Sequence, residues 1–186
     1  MGKSTVAGML RDLGVPVFDA DGEVHALQAA GGALLPAIEA AFPGVTGADG
    51  LDRARLGALV FGNDAALRQL ESIIHPAVAA RQAAFMAQHR DAPLVVLDIP
   101  LLFEKGGSER VDRIVVVSTS PEEQRRRVLH RPDMTAEKFE AIIARQTPDA
   151  EKRAAADHVI DTSGTIAATR AQLADVVACL RHDSGA

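Results

Sequence analysis

Hydrophobic residues recur along the chain with two different periods, one typical of helices and one typical of buried strands. Near the start, an apolar stripe at helical spacing predicts a helix over residues 4–13; its members are Val6, Met9, Leu10 and Leu13. Gly14 is a natural C-terminal stop for this helix. The short apolar run over 15–18 then predicts a buried strand that leads into Asp19-Ala20-Asp21.

Three further apolar runs predict strands, at Leu94–Leu97, Arg113–Val117 and His158–Ile160. Near-continuous runs rich in β-branched residues are typical of strands that are buried on both faces of a parallel sheet. Helical patterns alternate with these runs along the chain. The alternation predicts a three-layer α/β fold built around a parallel sheet.

Helical spacing predicts four more helices, at about 65–90, 121–130, 135–146 and 165–182. The first contains His75-Pro76, where a kink or break is expected because proline has no backbone donor. Thr135 is expected to cap the third. We expect one domain with a core of about 1–21, 92–121 and 156–186. A helical insertion occupies about 22–91, with breaks at 31–32 and 43–52, and an Arg- and Lys-rich segment occupies about 122–155.

The composition and charge of the chain exclude several classes of protein. The chain has 186 residues, a formal net charge of −5 and only 3% aromatic residues, which argues against nucleic-acid binding. The single Cys179 excludes an internal disulfide framework and a multi-cysteine zinc site. No apolar run approaches the ~20 residues that span a bilayer, and no signal peptide is visible. A soluble, cytoplasmic protein without a membrane partner is expected.

Gly2-Lys3-Ser4 matches the last part of the phosphate-binding loop pattern G-x-x-x-x-G-K-[ST]. In such loops glycine lets backbone N–H groups close around phosphate oxygens, lysine supplies a positive charge, and the hydroxyl binds Mg²⁺. Only the second half of the pattern is present, and this triplet alone arises by chance in roughly one chain in ten of this size. An ordinary charged helix start is the competing interpretation. The helix and strand that follow favour a nucleotide-binding unit.

Carboxylates follow two of the predicted strands. Asp19 and Asp21 come directly after the first strand, and either could accept the proton of a hydroxyl that attacks a phosphate. Asp21 could instead cap the next helix, which is the commoner role for aspartate at such a position. Asp98 follows the strand at 94–97 and is expected at the ligand edge of the sheet.

Arginines are concentrated in the segment 122–155, where a lid over a nucleotide would neutralise transferring charge. For most of the six arginines a solvated helix surface is the expected role; they are Arg125, Arg126, Arg127, Arg131, Arg145 and Arg153. We favour a functional role for Arg131 and Arg145, with Arg127 behind them. His75 alone, in front of proline, is more typical of a packed or capping histidine than of a catalyst.

The ordered set of motifs resembles the dephospho-CoA kinase family along essentially the whole chain. The similar segments are GKSTVAGMLRDLGVPVFDAD at the start, LESIIHPAV around His75, VVLDIPLLFE around Asp98, SPEEQRRRVLHRPDMTAEKFEAIIARQ in the arginine-rich segment, and ADHVIDTSG near the end. The resemblance implies a P-loop kinase core, a helical substrate region and an arginine-bearing lid. It implies transfer of the ATP γ-phosphate to the ribose 3′-hydroxyl of dephospho-CoA with Mg²⁺.

The same resemblance implies roles on the ATP side of the site. Gly2 and Lys3 would contact phosphates, with Lys3 on the β- and γ-phosphates. Ser4 would bind Mg²⁺ through its hydroxyl, and Thr5 would contact phosphate at the helix start. Arg131 and Arg145 would be the lid arginines that bind ATP.

On the acceptor side, the resemblance makes Asp21 the expected base on the 3′-hydroxyl. Asp19 and Asp98 would position the metal or the substrate, and His75 joins them among the expected substrate-binding residues. ATP and dephospho-CoA are the expected partners.

The sequence departs from the family at its start, where family members have a first strand and the glycine-rich front of the loop before Gly-Lys-Ser. We weigh a protein that begins about ten residues upstream against a truncated and weakly active nucleotide-binding protein, and favour the former. Another P-loop kinase that acts on nucleosides or nucleotides is the alternative activity.

Overall fold

A computed structural model describes residues 1–104, 106–132 and 134–183 of the chain. The chain divides into two compact units, one of Met1–Val17, Ala92–Val96 and Pro100–Ala186 and one of Phe18–Asp91 and Leu97–Ile99. In chain order, the elements of the described residues are α1 (Lys3–Asp12), β1 (Val17–Asp19), α2 (Ala20–Gln28), α3 (Leu35–Ala41), β2 (Thr46–Gly47), β3 (Gly50–Leu51), α4 (Arg53–Val60), α5 (Asp64–Gln88), β4 (Val96–Asp98), β5 (Val115–Ser118), α6 (Pro121–Leu129), α7 (Ala136–Ile143), α8 (Asp149–Ala154), β6 (His158–Asp161) and α9 (Ile166–Asp183).

The first unit packs α1 and α9 against the apolar residues of its strands. Val6, Met9 and Leu10 are buried in this core, where they meet Ile160 of β6. Leu13 lies partly buried against the same cluster. The helix predicted from the apolar stripe is therefore confirmed, and its stripe is the face that leaves water on folding.

The pairing of strands that are distant in the sequence confirms the expected α/β fold. β5 and β6 are parallel, with Val115 opposite His158 and Ser118 opposite Asp161. β1 pairs with β4, and the N–H of Val96 donates to the carbonyl oxygen of Pro16 at 2.9 Å. The strands begin up to two residues later than the apolar runs at 94–97 and 113–117, because an apolar run marks burial while the hydrogen-bonded ladder sets the strand.

The second unit is mainly helical, with a short β2–β3 hairpin between α3 and α4. Its core is a separate apolar cluster that includes Leu27, Ile38 and Leu70. The expected breaks at 31–32 and 43–52 are confirmed, since no helix of the described residues covers either stretch. The hairpin at the second break was not predicted.

The structure decides between alternatives at two positions of the second unit. A kink or a break was expected at His75-Pro76, and the helix α5 continues through Pro76 from Asp64 to Gln88, which excludes the break. Ile73, Ile74 and Ala77 pack against one core on both sides of the proline, and this shared packing holds the helix together. Asp21 does not cap the following helix, because α2 begins at Ala20 and its N-cap is Asp19.

The capping of α7 follows the prediction. Thr135 accepts a hydrogen bond from the backbone N–H of Lys138 at 3.3 Å. The helix ends at Ile143, earlier than the predicted end near 146. After Ile143 the chain turns, and Arg145 lies in this stretch between α7 and α8.

Candidate active site

The N-terminus of α1 presents the Gly-Lys-Ser-Thr residues. Gly2 is the N-cap with φ 88° and ψ 13°, a left-handed conformation that glycine adopts without steric cost. Lys3, Ser4 and Thr5 form the exposed first turn, which contains no acidic side chain. The backbone N–H groups and the helix dipole at this end stabilise a bound anion such as phosphate.

A cavity of about 360 Å³ lies against this helix start, within the first unit. One part of its wall is Gly2 and Thr5 from the helix start. Another part is the arginine-rich face of α6 and the residue just beyond it, which contribute Arg126, Arg127 and Arg131. The N-terminus of a helix and three arginine side chains therefore line one cavity, and this lining suits a small polyanion.

Two of the cavity arginines are held by neighbouring side chains. Arg126 donates two hydrogen bonds to the Glu123 carboxylate, at 2.7 and 2.6 Å. Arg127 donates to Glu123 at 2.6 Å and to the carbonyl oxygen of Thr162 at 2.7 Å. Hydrogen bonds from Arg126, then from Arg127, lower the pKa of Glu123 to about 2. Arg127 thus fastens α6 to the loop after β6, which fits a structural role.

Arg131 differs from these two arginines. Its exposed guanidinium makes no hydrogen bond or ion pair within the part of the chain that the structure describes. Its five donors therefore remain for a ligand in the cavity, where a guanidinium pairs well with phosphate oxygens.

Arg145, the other arginine favoured from the sequence, lies just after the end of α7 and is exposed. It is not among the residues that line the 360 Å³ cavity. The structure therefore brings Gly2, Thr5 and Arg131 together and leaves Arg145 outside that wall.

The second unit carries the acidic candidates. Asp19 accepts a hydrogen bond from the backbone N–H of Gly22 at 2.9 Å. Asp21 lies in the exposed first turn of α2, and its backbone oxygen meets the ring Nδ1 of His25 at 2.7 Å. Its carboxylate makes no hydrogen bond to any residue that the structure describes. Asp98 is half-buried at the end of β4 in the same unit.

His75 is neither packed nor capping, so that expectation is wrong. Its side chain is 60% exposed, and its Nε2 lies 3.9 Å from a carboxylate oxygen of Glu71, one helical turn earlier. An exposed imidazole on a helix surface is accessible to a ligand.

Few of the described side chains are placed to bind Mg²⁺. The described residues contain no group of three or more His, Cys, Asp or Glu side chains that could hold a metal ion by themselves. Mg²⁺ in phosphoryl-transfer sites keeps several waters and is held largely by substrate phosphates, with one or two protein oxygens. The exposed Ser4 hydroxyl in the first turn of α1 fits that mode of binding.

Sequence reasoning missed two polar pairs of the first unit that lie largely out of solvent. Glu104 and Lys152 form an ion pair at 2.9 Å, and Ser118 donates a hydrogen bond to Asp149 at 2.7 Å. A charged residue that ends an otherwise apolar segment, such as Glu104 after 99–103, is a usable signal for a buried partner. No local pattern identifies which residue that partner is.

Comparison with known proteins gives a consistent family assignment. A family model described as dephospho-CoA kinase matches residues 1–168. A dephospho-CoA kinase of Novosphingobium aromaticivorans is 61% identical over 182 residues, which cover 98% of this chain and 90% of the relative. A dephospho-CoA kinase of Rhizobium meliloti is 54% identical over 183 residues, which cover 97% of this chain and 93% of the relative.

Solved structures agree with this assignment. A crystal structure of a Thermus thermophilus protein matches with a TM-score of 0.79 at 36% identity, over 96% of this chain and 92% of that one. A dephospho-CoA kinase from Campylobacter jejuni matches with a TM-score of 0.70 at 26% identity, over 98% of this chain and 92% of that one. Within the described residues, every helix is too short or too polar to cross a membrane.

Proposed function

Because this chain belongs to the dephospho-CoA kinase family, we propose a division of labour among its residues in moving the ATP γ-phosphate to dephospho-CoA. The activity is that of a dephospho-CoA kinase on a P-loop kinase fold. In the reaction, the ribose 3′-hydroxyl loses its proton as its oxygen bonds to the γ-phosphorus. The bond from that phosphorus to the β,γ-bridging oxygen breaks, and ADP leaves.

We assign the ATP polyphosphate to the cavity beside the start of α1. Lys3 neutralises charge on the β- and γ-phosphates, while Gly2 and Thr5 contribute backbone N–H groups at the positive end of the helix. The observation that carries this assignment is that Arg131 lines the same cavity with its guanidinium donors unused by the described residues. Positioning and charge neutralisation supply most of the catalysis in phosphoryl transfer.

Magnesium supplies charge neutralisation on the β- and γ-phosphates when it is bound with ATP. Ser4 is the protein oxygen that we assign to it, because its hydroxyl lies in the first turn of α1. Arg145 is assigned to ATP as the second lid arginine, on the family resemblance alone.

We assign the acceptor side to the carboxylates of the second unit. Asp21 is the proposed base, because its exposed carboxylate is unused by the described residues while that of Asp19 caps α2. Asp98, Asp19 and His75 are assigned to positioning dephospho-CoA. The cytoplasm is the proposed location, since the donor ATP is supplied there.

The acceptor preference tests this proposal. Product formation from radiolabelled ATP and Mg²⁺ is measured with dephospho-CoA, adenosine and AMP as acceptors. We expect kcat/KM for dephospho-CoA to exceed the other two values by about a hundredfold or more, with the label at the 3′ position, because the site discriminates by differential transition-state binding. Comparable values for the three acceptors would overturn it in favour of a general nucleoside or nucleotide kinase.

A further inference from the structure

The side chains of the ion pair between Glu104 and Lys152 are largely withdrawn from solvent. Lys152 Nζ lies 2.9 Å from Glu104 Oε1, and the two side chains are 14% and 15% exposed. By contrast, the side chains of the ion pair between Arg170 and Asp12, also in the first unit, are 49% and 60% exposed. Burying two charges is costly, so this pair calls for a reason other than surface solubility.

The same carboxylate also holds the backbone of the arginine-rich segment. Glu104 Oε1 accepts a hydrogen bond from the backbone N–H of Thr147 at 2.8 Å. The other oxygen, Oε2, is buried and has no partner among the residues that the structure describes. Burial raises the pKa of Glu104, but hydrogen bonds from Lys152 and Thr147 outweigh burial and hold that pKa below its ordinary value.

Glu104 sits in a turn with an unusual backbone. The turn follows β4 and holds Leu101 at φ 57°, a left-handed conformation that leucine rarely adopts. The N–H of Gly107 closes the turn onto the carbonyl oxygen of Leu102 at 2.9 Å. A closed turn of this kind offers a fixed base for the carboxylate.

A second attachment holds the other side of the same segment. Ser118, fully buried at the end of β5, donates a hydrogen bond to Asp149 at 2.7 Å, and Arg153 donates to the Ser118 hydroxyl at 3.3 Å. The stretch from Thr147 to Arg153 is therefore attached both to the turn after β4 and to the end of β5.

Arg145 lies two residues before the first of these attachments. The backbone between them is closed by short-range hydrogen bonds, from the N–H of Arg145 to Ile142 at 3.2 Å and from the N–H of Gln146 to Ile143 at 3.0 Å. Little free backbone thus separates Arg145 from the Thr147 N–H that Glu104 holds.

We infer that Glu104 and Lys152 are positioning residues for phosphoryl transfer, which fix the backbone that carries Arg145. The inference rests on the proposed assignment of Arg145 to ATP. A buried ion pair adds little net stability compared with apolar residues of the same size. The ion pair instead gives the loop that carries Arg145 a fixed position. A displacement of a catalytic group by about 1 Å lowers the rate by roughly a hundredfold.

A cycle of variants tests this inference. Lys152→Met, Arg145→Ala and their combination are compared by kcat and KM for ATP, with Arg170→Met as the control that breaks an exposed ion pair. We expect Lys152→Met to lower kcat by about tenfold or more in the wild-type background and by less than about twofold once Arg145 is alanine. We expect Arg170→Met to change kcat by less than about twofold.

The failures of the two proposals are distinguishable. Equal fold losses for Lys152→Met in both backgrounds would overturn the positioning role while dephospho-CoA phosphorylation by the wild type stands. A wild type that does not prefer dephospho-CoA would overturn the proposed function itself. An Arg145→Ala variant with full activity would overturn the positioning role together with the assignment of Arg145.

Lys152→Met leaves Glu104 buried without its counter-charge, and a misfolded variant would not report on positioning. A double variant provides a second test that does not depend on that single substitution. Glu104→Gln/Lys152→Met removes both charges and keeps an oxygen that can accept from Thr147. We expect its thermal midpoint to return close to the wild-type value while kcat stays about threefold or more below it. Recovery of stability and kcat together would show that the pair is only structural.

Discussion

Asp19 accepts a hydrogen bond from the backbone N–H of Gly22 at 2.9 Å and thereby caps α2. This contact separates two carboxylates that the sequence alone presents as equivalents. The Asp19 carboxylate is engaged by the backbone, whereas that of Asp21 has no hydrogen-bond partner within the described residues. A base must reach the proton it accepts, and Asp21 is the one whose oxygens remain for a substrate.

Asp21→Asn is expected to lower kcat by about 10²- to 10⁴-fold, because asparagine cannot accept the 3′-hydroxyl proton. ATP affinity and the thermal midpoint should stay near the wild-type values. Steady-state ADP release and calorimetric ATP titration check the two expectations. The matched variant Asp19→Asn retains a good N-cap and should lose far less activity. A larger loss in Asp19→Asn than in Asp21→Asn would move the base to Asp19.

Arg131→Ala is expected to lower kcat/KM for ATP by about a hundredfold, because it removes donors that the fold does not use. Its unfolding free energy should be unchanged. Arg127→Ala should instead be unstable, because it loses the hydrogen bonds to Glu123 and Thr162. Urea denaturation and initial-rate kinetics on both variants separate the roles. Destabilisation by Arg131→Ala, without a specific kinetic loss, would contradict the assignment to ATP.

Glu123 makes the free energy of unfolding depend on pH in the acidic range. Its pKa is lowered from 4.5 to about 2, so its contribution to stability is complete above pH 4.5 and is lost as the pH falls toward 2. Glu123→Gln should therefore be less stable than the wild type at about pH 7, and the gap should narrow at about pH 3. Urea denaturation at both pH values measures the gap.

Glu122→Gln is the control for that experiment, because Glu122 is the exposed neighbour and its carboxylate makes no hydrogen bond to the described residues. It should show no comparable gap at either pH. A Glu123→Gln gap that is the same at both pH values would mean that the hydrogen bonds to Arg126 and Arg127 do not depend on the carboxylate charge.

The helices were predictable where one pattern decides them. The stripe of Val6, Met9 and Leu10 is the buried face of α1, so periodicity and packing agree. At Pro76 a local rule predicts a kink or a break, and apolar contacts on both sides keep the helix continuous despite the one lost hydrogen bond. Strand limits were less predictable, because they depend on hydrogen bonds to strands that are distant in the sequence.

The candidate site was also predictable only in part. The Gly2-Lys3-Ser4 motif indicates its own place at a helix start, because its chemistry requires backbone N–H groups there. Capping remained an alternative role for Asp21, because the sequence does not reveal that α2 begins one residue before it. The pairing of Glu104 with Lys152 could not be predicted from the sequence, since only the folded chain brings these two residues together.

Pro76→Ala is expected to stabilise the protein by about 1–3 kcal/mol, because it restores a backbone donor inside a continuous, exposed part of α5. Ala80→Pro, one turn further along the same helix, should destabilise it by about 3 kcal/mol. Urea denaturation of both variants gives the two free energies. A loss of stability in Pro76→Ala would mean that α5 is bent to suit the proline ring.

The proposed magnesium ligand can be tested by changing the softness of one atom. Ser4→Cys replaces a hard hydroxyl oxygen in the first turn of α1 with a soft sulfur. Mg²⁺ binds oxygen ligands and avoids sulfur, whereas softer divalent ions accept it. Activity with Mg²⁺ should fall by about a hundredfold or more, and Cd²⁺ should restore part of it. Ser4→Thr keeps the hydroxyl and should retain activity with Mg²⁺. Equal losses with both metals in Ser4→Cys would mean that Ser4 contacts the phosphates rather than the ion.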